Sequence, residues 1–326
     1  MSDKPFLSYE ELVVKLRDEK ELCVSDEAHV ISLLKKHGYF YLVTGYKAPF
    51  KRPDGSGKYM EGTTIDDLLA LFEFDNNLRD IFFHSIQIIE KHIKSLLSHY
   101  FCEKYGDDQK EYLNPMNYNF IVSNKYETYR KSAEVKRLTQ MFHNIVTPPF
   151  DELKYIEHQY RKHKNIPLWV SIKALTLGST SKMYSLCFQT VQCCISKEFD
   201  GINEGQLSGM LDFLTRVRNV CAHNERLYNF SSRKRGIRGV QLHKQLDLKR
   251  VENRYTQGQN DLFAAVICFY YLLSPQEFSS AIDSIHREIN TLCEKTNQIS
   301  RETILDYMHF PDHWYEQLVD LNRSRL

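Results

Sequence analysis

The stretch "RVRNVCAHNERLYN", Arg216 to Asn229, concentrates the residues of this chain best suited to acid–base chemistry on a phosphate. It holds Arg216, Arg218 and Arg226, with Asn219 and His223 between them. A histidine near its ordinary pKa takes up or gives a proton at neutral pH. An arginine offers a two-pronged fork to a phosphate, and an amide donates to a phosphate oxygen or orients the imidazole. Together these groups suit cleavage of RNA without a metal. The base takes the proton of a ribose 2′-hydroxyl, the freed oxygen attacks the adjacent phosphorus, and the arginine stabilises the charge that builds there. The products are a 2′,3′-cyclic phosphate and a 5′-hydroxyl, and DNA lacks the nucleophile. The same spacing is also met by a capped, salt-bridged polar helix face, so residue types alone leave both readings open.

The elements around the stretch must position it. "LSGMLDFLTRVRNVCAHNERLYNF" has helical periodicity, with Leu207, Met210, Leu211, Leu214, Val217 and Cys221 on one face. A helix continued to about residue 230 puts Asn219, His223 and Arg226 together on another face. Arg218 then stands about 140° around the helix from His223. A site between two copies of the helix would use it more readily than a site on one.

Helix signals dominate the rest. Ser8 with Glu11 forms a capping box, Asp26 opens a second helix that Gly38 stops, and Thr64 opens a long helical region. Ser274, Pro275 and Glu277 make a further helix start. Other helical patterns lie near 124–146, 151–163, 168–177, 179–196, 259–273 and 312–322. The aromatic segment "GYFYLVTGYKAPFKRPDGSGKYMEGTT" reads as turns and short strands. Strand-like alternation is scarce, and glycine, at 13 of 326 residues, falls below the usual roughly 7%. The chain reads as mainly α, with an N-terminal aromatic and helical module over 1–60 and a helical domain over 61–326.

Several segments carry a resemblance. "RNVCAHNERLYN" resembles the R-x4–6-H motif of the HEPN superfamily, and its longer form is similar to the abortive-infection (Abi) family of the AbiD/AbiF type. "KPFLSYEELVVKLRDE" is similar to that family's opening segment, "LLKKHGYFYLVTGYKAPF" to its aromatic–glycine segment, and "IPLWVSIKALTLGSTSKMYSLC" to its central segment. The four occur in the family's order from Lys4 to about Asn229. The resemblance implies a HEPN-like helical bundle with extra C-terminal helices, dimeric, with two motif helices facing each other. It implies an endoribonuclease that acts as a toxin or phage-defence effector under the control of a structured small RNA. By position Arg218, Asn219 and His223 match the motif, and Arg226 matches a recurrent further basic position. Some members of the superfamily bind RNA without cutting it, so a non-catalytic protein that assembles with a structured RNA is the alternative.

Beyond the motif, "SSRKRGIRGVQLHKQLDLKR" sets Arg233, Lys234, Arg235, Arg238, Lys244, Lys249 and Arg250 against one acid, Asp247. Such a run contacts phosphates or forms a solvated loop. Tyr39, Phe40, Tyr41, Tyr46 and Phe50 lie among lysines, as a base-stacking surface or as a packed core under snorkelling lysines. Glu90 is a candidate partner for a motif arginine. Global charge argues for no partner, because 43 basic and 42 acidic residues leave a net charge of +1. The eight cysteines form no C-x-x-C pair and read as free thiols of a reducing, cytoplasmic compartment. No cofactor and no metal is called for, since no ligands cluster at zinc-site spacing. No apolar run reaches the roughly 18 residues of a membrane span, and "LFAAVICFYYLL" reads as a buried helix.

Overall fold

Forty-one residues, Ile65–Tyr105, form one unbroken helix. Its start is fixed by Thr64, whose N–H donates to the Asp67 carboxylate at 2.8 Å while its hydroxyl accepts from the Asp67 N–H at 3.4 Å. Leu68, Leu71, Leu78, Phe82, Ile86, Ile89, Ile93, Leu97 and Phe101 follow at three- and four-residue spacing, save one seven-residue step from Leu71 to Leu78, and all are fully buried. This stripe holds the helix in place, because propensity alone stabilises a helix weakly in water.

The computed structural model describes residues 5–150, 153–233, 236–252 and 254–325. These residues are mainly helical, as the sequence pattern requires. The strands among them are Arg250–Val251 and Arg254–Tyr255, which pair antiparallel. The chain divides into two units. The first comprises residues up to Phe82, Val220–Ser231 and the chain from Ser279, and the second comprises Phe83–Asn219 and Ser232–Phe278.

In the first unit, Ser8 and Glu11 form the expected reciprocal cap at 3.2 and 2.7 Å. Asp26 accepts from the His29 N–H at 3.1 Å to start Glu27–His37, and Gly38, at φ 79°, ends that helix. The aromatic segment folds into short helical turns, Phe40–Thr44 and Ala48–Phe50, with one bridge between Lys51 and Tyr59. Its rings divide: Tyr46 and Phe50 are core, whereas Phe40 and Tyr41 are exposed. Arg301–Met308 is a helix that the sequence pattern did not reveal.

In the second unit, Lys125–Val146 starts at the Asn124 cap, and the expected helix over 179–196 is two, Leu177–Leu186 and Gln189–Ser196. Every residue of Leu262–Leu272 is buried, so its uniform apolarity serves a core. Among the described residues no helix is long and apolar enough to cross a membrane.

His243 is fully buried in the second unit. Its Nδ1 accepts from the Val240 N–H at 3.2 Å, which leaves Nε2 to donate to the Gly258 carbonyl at 2.8 Å. This pairing suits the neutral ring, and burial lowers the pKa against the opposing pull of these two hydrogen bonds. An unfolded histidine titrates near 6.5, so below that pH the unfolded chain takes a proton that folded His243 resists. Stability therefore falls as pH drops below about 6.5. Thermal melting at pH 7.5 and 5.5 checks this, and His243→Gln removes that part of the pH dependence.

Candidate functional site

The helix that carries the motif, Glu204–Ala222, stops earlier than its periodicity suggests. Asn224 adopts a left-handed conformation at φ 54°. The Glu225 N–H donates to the Val220 carbonyl at 3.0 Å, and the Asn224 N–H to the Cys221 carbonyl at 3.3 Å. This pair of bonds is a Schellman closure, and asparagine is the residue after glycine that most readily takes its left-handed position. His223 is thus the residue capping the helix end, and it is exposed. The expected continuation to about residue 230 is corrected: Arg226 does not follow Asn219 and His223 along one helical face, because the chain has already turned.

Beyond the turn, a buried carboxylate holds the chain. Asp75 is fully buried and accepts from the N–H of Leu227 at 3.1 Å and of Tyr228 at 2.6 Å. It also accepts from the Tyr46 hydroxyl at 2.7 Å and from Arg79 Nη1 at 2.5 Å. Arg79, buried as well, donates in turn to the Glu225 carbonyl at 3.2 Å. Burial raises the pKa of the Asp75 carboxyl, and the Arg79 guanidinium, the Tyr46 hydroxyl and the two N–H groups act against that rise. Every neighbour in this set donates, as an ionised carboxylate requires. The Tyr46 and Tyr228 rings stack at 6.0 Å between centroids. Asp75 and Arg79 therefore set the path of Glu225–Tyr228, directly after His223.

Neither Asp75 nor Arg79 was among the candidates read from sequence, yet a signal existed. Asp75 falls in register with Leu71, Leu78 and Phe82, the one acid in an otherwise apolar stripe. A charge at such a position is retained only where partners meet it.

The candidate residues are spread over both units. Arg218 and Asn219 belong to the second unit, and His223 and Arg226 to the first. Arg218 is half-buried with its guanidinium over the Phe83 ring at 5.5 Å, and Asn219 is exposed. Arg226 is exposed, and its Nη1 donates to the Gly45 carbonyl at 2.8 Å. Arg233 is exposed, Arg238 lines a cavity of the second unit, and Lys234 and Arg235 lie outside the described residues. Glu90 does not pair with a motif arginine: it forms a 2.7 Å ion pair with Lys94, one helical turn along.

Cys221 is buried, and burial pushes its thiol up to about 12, so it serves packing rather than nucleophilic attack. Among the described residues no three His, Cys, Asp or Glu side chains gather as a metal centre would need.

No curated protein and no solved structure matches the chain. Its residues 32–229, more than half of its length, match a family model described as Abi-like protein. That match ends at Asn229, just past the turn that Asp75 holds, and it places the chain in the Abi-like protein family.

Proposed function

We propose that this protein is an endoribonuclease of the HEPN type that acts in abortive infection, cutting RNA by a route that needs no metal. The observation that carries the reading is His223 at the exposed end of its helix, followed by a turn fixed from a buried ion pair. An exposed imidazole on a rigid support is suited to proton transfer at a substrate brought from solvent. Membership of the Abi-like family supports the defence role.

In the proposed reaction His223 takes the proton of a ribose 2′-hydroxyl. The 2′-oxygen bonds to phosphorus, the bond from phosphorus to the 5′-oxygen breaks, and that oxygen leaves with a proton from solvent. Arg218 stabilises the charge on the phosphoryl oxygens and Asn219 orients the groups around it. Arg226 positions RNA with whatever donors its bond to Gly45 leaves over. Two copies facing each other through their motif helices, and restraint by a structured RNA, complete the proposal.

The test is product analysis. Full-length protein is incubated with RNA in EDTA and the ends of the fragments are mapped. The expected ends are a 2′,3′-cyclic phosphate and a 5′-hydroxyl, with 2′-O-methyl RNA uncut because its nucleophile is blocked. Fragments ending in 5′-phosphates, or no cleavage at all, would overturn the proposal. In the second case the non-catalytic alternative predicts that a structured RNA still binds.

A further inference from the structure

We propose that the second unit carries a binding surface for single-stranded RNA, made of a cationic cavity that takes the sugar–phosphate backbone and two exposed tyrosines that stack bases. The choice of RNA over DNA rests on the ribonuclease reading; the surface itself rests on the charge and shape of the cavity and on the rings beside it.

The cavity has a volume of about 510 Å³ and is lined from the helices Lys125–Val146, Leu177–Leu186 and Glu204–Ala222, together with Gly236 and Arg238. Its cations are Arg130, Lys131, Lys182 and Arg238, and its acids are Glu134 and Asp212. Both acids are already engaged. Glu134 lies 3.2 Å from Lys182 and 3.4 Å from Arg130, and Asp212 pairs with Arg216 outside the lining. The cavity is left with an excess of positive charge in a concave setting, which attracts phosphate.

Its wall is shaped for close approach. A Cβ on Gly205 would come within 2.7 Å of Arg238 Nη1, so glycine there lets the guanidinium lie against the start of the Glu204–Ala222 helix. A Cβ on Gly209 would meet nothing within 4 Å, so this part of the wall is bare backbone facing open space. Among the described residues the lining holds no aromatic ring.

The rings lie next to it. Tyr126 and Tyr129 are 78% and 77% exposed on the Lys125–Val146 helix. Tyr126 is one turn before Arg130 on the same face, and Tyr129 is three residues from Tyr126. The Arg130 guanidinium lies between Glu127, at 3.8 Å, and Glu134, at 3.4 Å, on the same helix that carries both rings. Exposed aromatics beside a cationic groove are the parts that hold single strands without regard to sequence. A duplex keeps its bases stacked and offers these rings nothing.

The experiment measures binding alone. Fluorescence anisotropy follows full-length protein with a labelled 2′-O-methyl RNA strand of about twelve nucleotides, which cannot be cut. Wild type is expected to bind with an affinity that falls steeply with salt. Tyr126→Ala with Tyr129→Ala, and separately Arg130→Glu with Arg238→Glu, are expected to weaken binding at least about tenfold. The charge variant also flattens the salt dependence, by about 0.7 for each phosphate it no longer neutralises. Gly209→Met, whose side chain enters open space, plugs the cavity and weakens binding while its melting temperature holds. No binding by wild type, binding by these variants equal to wild type, equal affinity for duplex RNA, or full displacement by phosphate or uridine monophosphate each overturns the proposal. A protein that binds as expected but cuts no RNA overturns the ribonuclease reading and supports this surface.

Discussion

On the proposed mechanism, replacing His223 with alanine is expected to lower the rate of RNA cleavage by about 10²–10⁴-fold, the usual contribution of one positioned acid or base. The folded state should hardly notice. His223 is exposed, and the bonds that close the helix end run between the main chains of Val220 and Glu225 and of Cys221 and Asn224, none of which uses the imidazole. A chemical role and a structural one therefore separate in a single variant: activity falls while the melting temperature stays within about 1–2 °C, as expected of a surface change. Arg218→Ala is the companion. It removes the charge assigned in the proposed reaction to the phosphoryl oxygens and should cost about 10²–10³-fold, as the loss of one such donor does elsewhere. Its contact with the Phe83 ring adds a small stability term of about 0.5–1 kcal/mol. Single-turnover cleavage of a labelled RNA, with melting curves on the same preparations, checks both. An unchanged rate in His223→Ala would remove histidine from the mechanism.

Asp75→Ala is expected to destabilise the first unit by about 3–5 kcal/mol, the cost of breaking a buried ion pair from one side. The substitution leaves the Arg79 guanidinium buried without its counter-charge and takes the acceptor from the Leu227 and Tyr228 N–H groups and the Tyr46 hydroxyl. Each orphaned donor alone costs about 1–3 kcal/mol. The melting transition of that unit should drop by roughly 5–15 °C. Asp75→Asn keeps an acceptor but loses the charge, and should fall between. Removing both ends of the pair, Asp75→Leu with Arg79→Met, should cost less than Asp75→Ala alone, because no isolated charge is left behind. Because the pair sets the path of the chain just after His223, Asp75→Asn should also slow RNA cleavage at temperatures where the protein remains folded. A melting temperature unchanged in Asp75→Ala would show that the carboxylate carries no such load.

These two residues show how unevenly the sequence discloses the site. His223 stands out as a candidate through the segments around it, because its type and its spacing from Arg218 alone leave two readings open. Its setting was less legible. Helical periodicity carries on through "NERLYN", and apolar Leu227 and Tyr228 fit the pattern, yet Asn224 ends the helix through a backbone conformation that periodicity does not register. Leu227 and Tyr228 are buried, but next to Asp75 rather than along a continued helix. Arg226, read as an RNA contact, gives one donor to the Gly45 carbonyl, and Glu90, read as a partner for a motif arginine, pairs with Lys94.

What the sequence by itself determined is local. The helix starts at Ser8, Asp26, Thr64 and Ser274 arise from side chains that bond backbone three residues away. The buried stripe of Ile65–Tyr105 comes from spacing, and the candidate base from a short motif. Only the tertiary structure decided that Asp75 reaches the chain at Leu227, that Arg226 spends a donor on Gly45, and that Arg238 lies against Gly205. The physical reason is one of range. A cap or an amphipathic face is complete within a few residues, so its energy can be read from neighbours in the chain. A buried charge is tolerable only through partners that folding brings from far along the sequence, and spacing holds no record of them.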